Sequence, residues 1–242
     1  MLGRRTPEHG SARHNNRHGN IRTLALGTTL TVAALSACEK EAQPIPQDEY
    51  ETVIDSTLAS INRTAGFWSY RYDLLGIDRA TVPDLRLTYD DDDASLLCDV
   101  LVNTEEGEMF LCNVDGKMVL NPKALHNLVL YVGLDPDNEA HLNAVTDVVT
   151  GHEFGHFLQR LLGTDQTKEV LVLELQADCL AGAQLAVAGY GQEISPEATT
   201  DALVLYQTIL FAIGGDTEHG SSDMRVASFM SGHANGIPAC IV

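Results

Sequence analysis

Gly151-His152-Glu153-Phe154-Gly155-His156 sets two imidazoles four residues apart, with a carboxylate directly after the first. On a helix, residues i and i+4 lie on one face. Two neutral rings stacked that way can bind one Zn²⁺ ion at about 2.0–2.1 Å each, while Glu153, about 100° further round, reaches the open side of the metal. That is the arrangement of a zinc hydrolase helix. The flanking Ala144, Val145, Val148, Val149, Phe154, Phe157, Leu158, Leu161 and Leu162 make the helix largely apolar, so its polar groups need partners. A polar core cluster satisfied by hydrogen bonds is the competing reading. A purely structural zinc is disfavoured, because such sites usually fill four positions, often with cysteines, and no CxxC pair occurs in the sequence.

A catalytic zinc site takes three protein ligands plus water, so a third ligand must come from elsewhere. Glu174 is the best candidate. It opens Glu174-Leu175-Gln176-Ala177-Asp178-Cys179 in a second helix-like run, and Gly163-Thr164-Asp165-Gln166-Thr167 lets the chain reverse between the two. Two antiparallel helices then face each other across the metal. Asp178, one turn beyond Glu174 on the same face, is placed to accept the outer N–H of a ligating histidine and fix its tautomer.

HEFGHFLQRLLG, ELQADCLAG and GDTEHGSSDMRVASFMSG follow one another in order from about Cys112 onward. Together these blocks resemble the bacterial neutral zinc metallopeptidase family. The resemblance implies a zincin-type fold with zinc as cofactor, His152 and His156 as ligands, Glu153 as general base, and Glu174 with Asp178 in the roles given above. It also singles out His219 in the HGSS block, as a candidate donor to the oxyanion or else a helix-capping or core histidine. Arg225, six residues on, either pairs with a buried carboxylate or orients the His219 loop.

The chain begins with Arg4, Arg5, Arg13, Arg17 and Arg22, followed by an apolar run from Leu24 to Ala37 and then Cys38. Such a run is too short to span a bilayer comfortably and fits the core of a signal peptide. Leu35-Ser36-Ala37-Cys38 looks like a bacterial lipobox, which implies removal of residues 1–37 and a lipid anchor on Cys38. An ordinary secretory signal with an incidental cysteine is the alternative. Residues 38–47, with Pro44 and Pro46, then read as an anchored linker, and 48–242 as one metallopeptidase domain.

The formal net charge is −19 at pH 7. Loss of residues 1–37 removes five Arg and one Glu, leaving 10 basic against 33 acidic residues. A surface so acidic repels phosphate backbones, so nucleic acid is excluded as a partner, and membrane attachment falls to the covalent anchor. Asp90-Asp91-Asp92-Asp93 lacks the spacing of an EF-hand and reads as a solvated turn. Beyond Cys38 remain Cys98, Cys112, Cys179 and Cys240, an even number that suggests two disulfides in an exported chain. The preferred pairs are Cys98–Cys112, across a hairpin at Glu105-Glu106-Gly107-Glu108, and Cys179–Cys240.

Helical spacing is expected over 48–62, where Val53, Ile54, Leu58 and Ile61 recur. Short β-like runs follow at 85–89, 96–102, 109–114 and 117–120, with a hairpin signal at Asp115-Gly116. Helices are expected over about 123–132, 138–162, 168–189, 196–213 and 222–231. The expected fold class is therefore α+β and predominantly helical: a zincin-like metallopeptidase with a small β-sheet or hairpin region before a bundle that carries the HExxH helix. A sheet edge above that helix would bind an extended peptide substrate by strand addition, as in zincins. The expected function is a zinc-dependent endopeptidase acting on peptide or protein substrates outside the bacterial cytoplasmic membrane. The alternative is a surface lipoprotein that keeps the zinc site as scaffold and works as a binding module.

Overall fold

The computed structural model describes residues 46–82, 86–89, 110–112, 117–120, 122–165, 168–187, 196–213 and 220–241. Cys38, Asp90–Asp93, Cys98, the 96–102 run, the 105–108 hairpin and Asp115-Gly116 lie outside them. Among the described residues six helices make the body: α1 Gln47–Ser69, α2 Pro122–Tyr131, α3 Glu139–Leu161, α4 Val170–Leu185, α5 Pro196–Ile213 and α6 Ser222–Asn235. None of the described helices is long and apolar enough to cross a membrane.

The expected α+β class is corrected: the architecture is a helical bundle. Among the described residues, backbone pairing outside it is confined to Arg86–Tyr89, Phe110–Cys112 and Lys117–Leu120, three or four residues each. At about 3.3 Å per residue such segments reach little more than 10 Å, against about 34 Å for a helix of 23 residues, so they do not form a layer. Among the described residues both hydrophobic cores draw on helices and the turns joining them. The peptide-binding sheet edge loses its basis with that correction.

α3 starts where Asn138 caps it, its side-chain oxygen accepting from the N–H groups of Ala140 and His141. One face packs with α1, around Trp68, Phe154, Phe157 and Leu158. The other joins Leu142, Val145 and Val148 to α2, α5 and Phe229 of α6. α4 runs through the middle, buried without interruption from Gln176 to Leu185. Its hydropathy, apolar all round, is what a central helix requires. Glycine sets how closely its neighbours approach. A Cβ on Gly182 would overlap the Phe229 carbonyl of α6, and a Cβ on Gly155 of α3 would stand 2.7 Å from the Cα of Ala177 in α4.

α1 runs seven residues past its expected end at 62, and the reason lies in what it buries. Its inner face is Val53, Ser56, Thr57, Ser60, Ile61, Thr64 and Trp68, whereas Ile54 and Leu58 are only half-buried. Hydroxyls stand where hydropathy looks for carbon. They are satisfied across the interface: Ser56 donates to Asn143, Ser60 to Asp147, and Gln184 Nε2 donates to Thr64 while its Oε1 accepts from the Trp68 indole.

Candidate metal centre

α3 and α4 are antiparallel across the centre, since Gly151 meets Ala181 while Gly155 meets Ala177 further along. This crossing brings the imidazoles of α3 to Glu174 of α4. Nε2 of His152 is 3.1 Å from Nε2 of His156 and 3.1 Å from a Glu174 carboxylate oxygen. Nε2 of His156 is 3.4 Å from the other oxygen of Glu174. His152, His156 and Glu174 therefore offer ligand atoms all within 4.8 Å of one another, a group that can hold a metal ion. Their side chains are 10%, 22% and 12% exposed, so the centre is enclosed by protein yet keeps one side open to solvent.

The tautomers follow from the partners. His152 Nδ1 stands 2.9 Å from Asp178 Oδ1, and an ionised carboxylate can only accept, so Nδ1 carries the proton and Nε2 keeps its lone pair in the neutral ring. Asp178 is wholly buried. Arg225 of α6 grips it with both prongs, Nε donating to Oδ2 at 2.9 Å and Nη2 to Oδ1 at 2.8 Å, the strong bidentate form of a charged hydrogen bond. Of the two roles open to Arg225, the structure shows the pairing with a buried carboxylate. His156 Nδ1 lies 2.9 Å from Gln159 Oε1.

The electrostatics favour positive charge at this point. Burial works against charging His152, but its hydrogen bonds to Asp178 and Glu174, with the charge of Asp178, outweigh that and push its pKa up to about 10. Burial likewise raises a carboxyl. The neighbouring His152 and His156 overcome it at Glu174, and hydrogen bonds from Arg225 and His152 do so at Asp178, so both are held below the ordinary carboxylate range. Once both rings give up the proton at Nε2, two lone pairs and an ionised carboxylate converge on one spot, so a bound cation takes the place of the proton that His152 otherwise holds. A cation shared among them turns mutual repulsion into attraction.

Glu153 sits beside His152 on α3, half-buried. His219 and Cys38 lie outside the described residues, as does Cys98, and with it the Cys98–Cys112 pair. The Cys179–Cys240 disulfide is present and ties the segment after α6 to α4. Gln159 and Gln176 were not singled out from sequence. Gln159 is seven residues after His152 and three after His156, on the ligand face of a helix whose neighbouring positions are apolar. That placement was the available signal.

Comparisons of this chain with protein families, curated proteins and solved structures find no match, so the candidate metal centre rests on the geometry of His152, His156 and Glu174.

Proposed function

We propose that the chain is a zinc-dependent endopeptidase of the neutral zinc metallopeptidase type, anchored through Cys38 on the outer face of a bacterial membrane. The observation that carries the reading is the convergence of His152, His156 and Glu174, whose ligand atoms all lie within 4.8 Å of one another. Two imidazoles and one carboxylate suit zinc and its transition-metal neighbours, and fit poorly with calcium or magnesium, which take oxygen ligands.

When bound, zinc lowers the pKa of its water to about 7 and polarises a carbonyl. The rest falls to the chain. His152, His156 and Glu174 bind through lone pairs already aimed inward, and Asp178 holds the His152 proton on Nδ1. Glu153 accepts a proton from the attacking water on a carboxylate oxygen and returns it to the leaving amide nitrogen. A scaffold that merely bound metal has no use for that carboxylate, which sets the catalytic reading above a binding module. His219 is the candidate donor to the oxyanion on the family resemblance alone. The anchor rests on the lipobox alone.

The test is one preparation measured twice. Purified protein should contain close to one zinc per chain by elemental analysis and cleave unfolded casein in a chelator-sensitive way. Glu153→Gln should keep the zinc and lose the cleavage, because an amide cannot take the proton. A wild-type protein that binds zinc and leaves both casein and its own cell-surface proteins intact would favour the binding module instead.

A further inference from the structure

Asp178 explains the orientation of His152, yet among the described residues no carboxylate stands behind His156. Its outer nitrogen meets the side chain of Gln159, which is 1% exposed and uses all of its amide. Gln159 Nε2 donates to the Leu173 carbonyl at 2.7 Å and to Gln176 Oε1 at 3.2 Å. Gln176 Nε2 in turn donates to the Cys240 carbonyl at 2.8 Å. Backbone carbonyls only accept, so the two ends of this chain dictate its direction. Flipping the Gln159 amide would set its oxygen against both Leu173 O and Gln176 Oε1, and would face its NH₂ towards His156. Flipping Gln176 would bring its oxygen onto Cys240 O. Each flip leaves buried acceptors without donors, which disfavours it strongly.

We propose that Gln159, locked by Leu173 and Gln176, is a positioning residue that holds His156 in its Nδ1–H tautomer and thereby presents the Nε2 lone pair to the metal. The two histidines are then oriented by different means, a buried carboxylate behind His152 and a neutral amide behind His156. The difference has a chemical purpose. Glu153, Glu174 and Asp178 already crowd this region with acidic groups, and an amide fixes the second ring without adding another negative charge to the interior.

The inference rests on the metal reading, and the experiment separates the two. The ¹⁵N shifts of His156 in zinc-free wild-type protein report the tautomer directly, and a dye competition titration with zinc reports affinity. We expect the Nδ1–H form in the wild type. Gln159→Met, which keeps the volume and loses the acceptor, should populate both tautomers and weaken zinc binding by about 10–100-fold. Gln159→Glu restores an acceptor for the Nδ1–H of His156 and should recover the tautomer, while setting its second oxygen against Leu173 O and Gln176 Oε1 lowers its stability. Failure of the wild type to bind zinc would overturn the metal reading, while the tautomer would still decide the role of Gln159. A folded Gln159→Met protein with wild-type tautomer and affinity would overturn the inference. Should that variant not fold, a wild-type His156 protonated on Nε2 would overturn it equally.

Discussion

Asp178 carries a full charge with no exposed surface, and Arg225 is what makes that tolerable. Removing one partner of a buried pair leaves the other uncompensated, so Arg225→Met should destabilise the metal-free protein by about 3–5 kcal/mol in urea unfolding. Adding Asp178→Asn to it should cost less than the two single changes together, because the residual charge disappears. Strict additivity would show that the pair does not act as a unit. The same Asp178→Asn change should weaken zinc binding by about 10–100-fold, since the amide no longer forces the proton onto Nδ1 of His152. At this scale the sequence was informative wherever helical periodicity alone decides the matter. His152 and His156 share a face by spacing, and Glu174 with Asp178 do so again. Arg225 stayed ambiguous because its partner is 47 residues away, and nothing local encodes that meeting. Gln159 was illegible for another reason: an amide among leucines has the same letter whether it is solvated or clamped by a backbone carbonyl and a second buried amide.

Among the elements, α3 through α6 fall within a few residues of where hydropathy and breakers put them, since their burial is carbon burial. α1 does not. Its interface is hydroxyl to carboxylate and amide, and a pattern of Ser and Thr reads as solvent-facing until the partner helix is known. The β-like runs show the opposite error, in which alternating apolar residues suggest strands, but among the described residues only short pairings form and packing is left to the helices. Cysteine parity was a sound guide for Cys179–Cys240, a link spanning 61 residues of sequence. Closing a loop of that size restricts the unfolded chain by about 4 kcal/mol in the chain-entropy account. Replacing both cysteines with alanine should therefore lower stability by about 2–4 kcal/mol, read as a shift of the urea midpoint at constant slope. An unchanged midpoint would mean that α4 and the segment after α6 hold together without the bond. Because Gln176 also donates to the carbonyl of Cys240, the loss should be larger than for a disulfide between exposed loops.

For the molecule as a whole, a net charge of −19 surrounds a centre that gathers positive charge, and a field of that sign draws cations towards it. Charge alone does not choose among them. Choice requires a fixed distance, and the donors that set it stand on two different helices. His156 immediately follows Gly155, and Glu174 lies three residues before Ala177, so the contact between Gly155 and Ala177 is the fulcrum about which the donor triangle opens or closes. A methyl group placed on Gly155 would stand 2.7 Å from the Cα of Ala177, with backbone rather than a yielding side chain in its way. The helices would have to part. Gly155→Ala should accordingly lose zinc affinity by far more than it loses affinity for a larger ion such as calcium, whose bonds run to about 2.3–2.6 Å, a ratio that parallel titrations of the two ions would measure. The missing side chain acts as a caliper: by having no width of its own, Gly155 sets the ionic radius that the protein accepts.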